Sequence, residues 1–241
     1  MRFIFIPHLS QRYMFFASSI FLSIAMIAGL LQPLSGVNQL LPHSLKEPIT
    51  QGNSNQPKIA FACNVFWGEE FLPDMLRTFD NENIKITFFI GGSWAKRFPD
   101  SLRDIAARGH ELGNHSWSHP HPNSLTKLQN QEQILRTERF VQDTTNIKTT
   151  LYAPPYGEYN ESVLTAAAEI GYRTILWSVD TIDWQRPPSE VLKSRVLKKV
   201  HNGAIILMHP TDPTAKVLPS LIKELKQRGF TITTVSDILQ Q

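Results

Sequence analysis

Seven short β-rich runs alternate with six longer segments of helical period, and this alternation constrains the chain more than any other feature. The runs are Ile59–Cys63, Ile84–Ile90, Glu111–Asn114, Thr150–Ala153, Thr174–Ser178, Ala204–Met208 and Phe230–Thr234. Between them lie Glu70–Asp80, Asp100–Arg108, Leu125–Asp143, Glu161–Ile170, Ser189–Val200 and Ala215–Gln227. Strands separated by helices pair in parallel through crossovers, so the pattern predicts an α/β fold. No dinucleotide-type glycine loop follows the first strand, which favours a closed or nearly closed barrel over an open sheet. Gly109, Gly171 and Gly229 each follow the last helical residues, where a left-handed C-cap is wanted.

Upstream of this pattern the chain changes character. Met14–Leu31 is 18 residues without a charge, preceded by Arg2 and Arg12 and followed by no charge until Lys46. That length suits a bilayer core about 30 Å thick, with the N-terminus inside. Residues 1–31 therefore read as a signal anchor or a signal peptide, and either one exports the remainder to the outer face of the membrane or the wall. Residues 32–57, closing on QGNSNQP, read as a flexible linker. Residues 58–241 form the folded domain. Its formal charge contribution is modest: the whole chain carries +3, with no Lys/Arg run long enough to track a phosphate backbone, so nucleic acid is excluded as a partner. Cys63 is the sole cysteine and lies in an apolar run, which makes it an inert core thiol rather than a nucleophile.

In β/α barrels chemistry gathers at the C-terminal ends of the strands. Those ends here carry Asn64, His115, the Ala153-Pro154-Pro155 turn, Asp183 with Trp184, and His209. His115 and His119, four apart in HSWSH, would share one face if the segment turned helical, an arrangement that grips a divalent metal. Two histidines in a surface loop would give the same spacing. His209 follows AIILM and suits a general acid, with Asp183 as its partner. As bland alternatives, His209 is a strand-end histidine and Asp183 a loop or N-cap residue. Trp67, Trp117, Trp177 and Trp184 lie near the same ends, and no more than two are expected to line a sugar-stacking groove, core packing being tryptophan's usual role.

Four stretches in order, GHELGNHSWSH (109–119), APPYG (153–157), WSVDTIDW (177–184) and ILMH (206–209), resemble the NodB-homology polysaccharide deacetylases, carbohydrate esterase family 4. The match spans essentially all of residues 58–241. FWGEE, SVDTIDW and ILMHPT look most like the sporulation-associated branch, typified by PdaB- and YlxY-like proteins. The resemblance implies a distorted (β/α)7 barrel that removes acetyl groups from N-acetylglucosamine units of peptidoglycan or a chitin-like polymer, with a divalent metal, usually zinc. It assigns His115 and His119 to the metal, His209 to the acid and Asp183 to its partner. Trp184 and Leu207 become walls of the acetyl pocket, with Pro155 and Tyr156 beside the substrate.

The departures from the family are as specific as the matches. Its T-F-D-D motif reads Ala62-Cys63-Asn64-Val65 here, so Asn64 stands at the base position and Val65 at the ligand position, which puts metal occupancy in doubt. A carboxamide has no useful basicity near neutral pH, and valine coordinates nothing. The arginine that pairs with the base is replaced by Ala153. These losses are consistent, because an arginine without its carboxylate would be a poorly compensated cation in the cleft. Two functions follow: an altered hydrolase, with Glu69 or Glu70 as a substitute base, or a non-catalytic glycan-binding or scaffolding protein of the same fold. Helix N-terminal acidity is the ordinary explanation for Glu69 and Glu70.

Overall fold

The computed structural model describes residues 47–240, so the apolar segment 14–31 and the first part of the linker lie outside the described residues. Among the described residues, no helix is long and apolar enough to cross a membrane. The strands are β1 (Lys58–Val65), β2 (Thr87–Ile90), β3 (Glu111–Asn114), β4 (Leu151–Tyr152), β5 (Arg173–Thr174), β6 (Val179–Asp180), β7 (Ile205–Met208) and β8 (Thr231–Thr233). The helices are α1 (Leu72–Asn81), α2 (Gly92–Arg97), α3 (Pro99–Ala107), α4 (Lys127–Thr145), α5 (Glu161–Glu169), α6 (Ser189–Lys199), α7 (Asp212–Gln227) and α8 (Val235–Ile238).

All the strand pairs are parallel, in the order β5-β4-β3-β2-β1-β7-β6. β8 pairs with Lys58–Ala60 of β1, and β2 takes over further along at Ala62–Val65. The expected strand Thr174–Ser178 falls mostly on the connection between two short strands: only Thr174 belongs to β5, and β6 begins after it, at Val179. They stand at opposite ends of the pairing order, yet only Ile175–Ser178 separates them. That connection reaches at most about 18 Å fully extended, so the sheet must curl until its two ends nearly meet.

The remaining gap is straddled by chain upstream of β1. Ile49 bridges to Ile175 and Gln51 to Ala204. Gly52 donates to the Gly203 carbonyl at 2.7 Å and Asn53 to that of Ile238 at 3.0 Å. The described end of the expected flexible linker is thus docked. Its polar composition concealed two features: Ile49 packs against the barrel's interior cluster, and Gly52 sits where a Cβ would come within 2.3 Å of the Ile238 carbonyl oxygen.

Side-chain alternation in β1 divides the core. Ile59, Phe61, Cys63 and Val65 face the helices and join the larger apolar cluster, while Ala60 and Ala62 face the barrel interior. A strand buried on both faces reads as a continuous apolar run, which is why β1 was legible. Small interior residues there leave room for Phe89 of β2 and Ile205 of β7. Helix ends follow local rules. Thr126 forms a capping box with Gln129 ahead of α4, and Gly109, Gly171 and Gly229 all adopt the expected positive φ. Helices α2 and α8 escaped the sequence reading because each is only six and four residues long.

Candidate active site

The loops leaving β1, β3, β4, β5, β6 and β7 surround a cleft of about 400 Å³. That volume lies in the usual range for small-molecule sites, roughly 300–1,000 Å³. Asn64, His115, His119, Tyr156, Trp184, Leu207 and His209 all line it, so the structure brings together most of the residues singled out from sequence.

HSWSH is not helical. Ser116 and His119 both take left-handed φ values, 63° and 56°. The two imidazoles nevertheless meet edge to face, with centroids 4.9 Å apart. The loop is held from α4, where the Gln133 side-chain oxygen accepts from Trp117 N at 3.1 Å, Ser118 N at 2.9 Å and Ser118 Oγ at 3.2 Å. Trp117 itself turns away from the cleft beneath the Arg136 guanidinium, 3.9 Å from its ring centroid. The His115 Nδ1–H donates to the Ala153 carbonyl at 2.7 Å, leaving Nε2 as the unengaged nitrogen. Burial, with His119 and His209 nearby, pushes the His115 pKa down to about 3. His119 is lowered as well, chiefly by burial.

Asp183 is fully buried in a short 3-10 turn after β6. Its carboxylate accepts from His209 Nδ1 at 2.8 Å, from His209 N at 2.6 Å and from Thr214 Oγ1 at 2.7 Å. Thr211, the N-cap of α7, donates in turn to Thr214. The Trp67 ring lies parallel to the His209 ring, centroids 5.7 Å apart. His209 is thus fixed on one nitrogen and one face, with Nε2 left for chemistry.

The end of β1 supplies no carboxylate. Asn64 lines the cleft and is 4% exposed, and its side-chain oxygen has no hydrogen-bond partner among the described residues. Val65 points the other way, into the apolar cluster beneath the helices. Ala153 is buried, and Glu69 and Glu70 sit in the 3-10 turn before α1 without lining the cleft. Pro155, expected beside the substrate, is buried and does not line the cleft, while its left-handed neighbour Tyr156 (φ 60°) does and packs on His119, centroids 4.6 Å apart. Three tryptophans line the cleft rather than two: Trp67, Trp177 and Trp184. Cys63 is buried, and that burial raises its thiol pKa well above the ordinary value, as befits a core residue.

The donor set does not fit a catalytic zinc. Such sites use three protein ligands plus water. Here two imidazoles stand beside a carboxamide, and among the described residues no three His, Cys, Asp or Glu side chains are grouped to hold a metal. Sequence reasoning also missed cleft residues. Asp180 ends β6 and lines the cleft, and Phe66 packs on His119 with centroids 4.8 Å apart. Asp180 had a signal, an acid at a strand end; Gln133 and Thr214, remote in sequence from the groups they hold, had none.

Residues 51–175 match the polysaccharide deacetylase family. The chain belongs to that family. The uncharacterized protein YlxY of Bacillus subtilis (strain 168) is 44% identical over 195 residues, covering 81% of this chain and 61% of that protein. The peptidoglycan-N-acetylglucosamine deacetylase PgdA of Listeria monocytogenes serotype 1/2a (strain 10403S) is 36% identical over 209 residues, 85% of this chain but 44% of that one. The chain therefore spans less than two thirds of either relative. Among solved structures, a CE4-family pseudoenzyme from Bacillus anthracis superposes with a TM-score of 0.79 at 37% identity, over 81% of this chain and 69% of that one. A mutant of that pseudoenzyme, with restored enzymatic activity, matches equally well, at a TM-score of 0.79. The expected NodB-type β/α barrel is the fold of this polysaccharide deacetylase relative, and the family's deacetylases are generally metal-dependent.

Proposed function

We propose that the cleft receives a glucosamine-type unit of an exported cell-wall polymer and hydrolyses its N-acetyl amide slowly, with the acid half of the machinery in place and the base half missing. The observation that carries this reading is the Asp183–His209 pair, held by three donors to one buried carboxylate. In amide hydrolysis, water adds to the acetyl carbonyl, the C–N bond breaks, and His209 Nε2 delivers a proton to the departing amine. Asn64 orients water by hydrogen bonding but does not take its proton, so that proton passes to solvent. Loss of a general base costs on the order of 10²–10⁴ in rate. His115 and His119 are the residues that would hold a divalent metal such as zinc, but they are two ligands where three are usual. The apolar segment 14–31 supports placement outside the cell membrane, anchored or secreted, and kinship with YlxY supports the sporulation-associated branch.

Acetate release from N-acetylglucosamine oligomers tests the proposal. The full chain should show slow turnover that His209→Ala abolishes. Turnover unchanged in that variant removes His209 as the acid. A second reading, a glycan-binding protein without turnover, is favoured by Asn64 and Val65 and by the similar pseudoenzyme; oligomer binding with no acetate release would establish it.

A further inference from the structure

The cleft holds a carboxylate and no fixed cation. No lysine or arginine is among the described residues lining it, while a carboxylate, Asp180, is. Asp180 Oδ1 accepts from Ile182 N at 2.8 Å, and its second oxygen accepts no hydrogen bond from the described residues. Asp180 pairs in register with Leu207, which lines the same cleft, so the carboxylate lies beside a wall of the pocket. Asn64 also lines the cleft, but its side-chain oxygen is buried away from the open space. His115, with Nδ1 spent on Ala153, has only Nε2 left to offer. Two further imidazoles, His119 and His209, line the cleft; that of His209 is matched by Asp183, so its charge when protonated is already compensated.

We infer that the preferred occupant is a de-N-acetylated glucosamine unit, a sugar bearing an ammonium group, rather than its N-acetylated counterpart. An ammonium has three N–H donors and no acceptor, which suits the free oxygen of the Asp180 carboxylate in a wall without lysine or arginine; an acetamide offers one N–H and brings a carbonyl oxygen that needs a donor of its own. Aromatic walls from Trp67, Trp177 and Trp184 complete the fit, since they stack on the sugar's C–H face and attract a nearby cation. The whole chain carries +3, so long-range attraction does not draw in a polycation and any selectivity must come from the cleft itself. The inference rests on the reading of the cleft as a glucosamine site. It makes the deacetylated product the form that the protein retains.

Calorimetric titration of the full chain, with EDTA present so that no metal competes, separates the two ideas. The probes are the β-1,4-linked tetramers of glucosamine and of N-acetylglucosamine. The glucosamine tetramer should bind about tenfold more tightly, as a charge-assisted hydrogen bond allows. Asp180→Asn keeps the Oδ1 that Ile182 N needs and should bring the two affinities within about threefold of each other. Equal binding, or preference for the acetylated tetramer, overturns the inference and leaves the glucosamine-site reading standing. A preference that persists in Asp180→Asn overturns the role of Asp180. Binding of neither tetramer overturns both.

Discussion

The carboxylate of Asp183 holds His209 at two points, the ring Nδ1 at 2.8 Å and the backbone N at 2.6 Å. One contact sets the ring's tautomer and the other fixes the end of β7 from which the ring hangs. With Thr214 Oγ1 as a third donor, the group is structural as well as chemical.

Replacing Asp183 by alanine should therefore destabilise the fold as well as silence the acid. It leaves buried donors unpaired at about 1–3 kcal/mol each. Urea unfolding should show a loss of at least about 3 kcal/mol, allowing for non-additivity. A loss below about 1 kcal/mol would mean that the carboxylate only serves chemistry.

Restoring the missing groups is the complementary test. Asn64→Asp with Ala153→Arg should raise acetate release by about 10²-fold or more, the scale of a returned general base. Val65→Asp is different, because Val65 faces the apolar cluster with no exposure. Adding it should lower stability by several kcal/mol unless the strand end rotates. The readouts are turnover and denaturation midpoint, measured on the double and triple variants together.

Acid should weaken the fold through two buried histidines. His110 is pushed down to about 4, chiefly by burial, and His115 to about 3. An unfolded histidine takes its proton near pH 6.5. The stability contributed by these neutral rings is present above that pH and declines as pH falls toward their folded values. The slope is about 1.4 kcal/mol per pH unit for each ring. Unfolding at pH 7 and pH 5 should differ by roughly 4 kcal/mol, and His110→Gln should remove about half of that. Equal stability at the two pH values would contradict the assignment.

Gln133 governs the histidine loop from a distance. Gln133→Ala removes the acceptor for three donors and should speed amide exchange at Trp117 and Ser118, where Gln133→Glu, which keeps the acceptor, should not. Loss of loop order in both variants would point to packing instead.

The barrel was readable because a strand covered on both faces must be mostly apolar, and β1, β2 and β7 are, apart from Lys58, Asn64 and Thr87. The connection between β5 and β6 was read as a strand in their place because two-residue strands carry no period. The site was legible where strand ends present unusual groups, as with Asn64, His115, Asp183 and His209. It was illegible where function depends on a turn's handedness. Nothing in HSWSH announces the left-handed Ser116 and His119, and nothing in APPYG shows that Tyr156 is left-handed while Pro155 is buried.

Ile49 and Gln51 sit in the seam between β5 and β7 like a stave fitted last. A truncated version begun at Lys58, where a strand-by-strand reading would cut, would lack that stave and expose Ile175 and the edge near Ala204. Such a shortened protein would be prone to pair with a second copy through the opened seam, so the cut belongs upstream of Glu47.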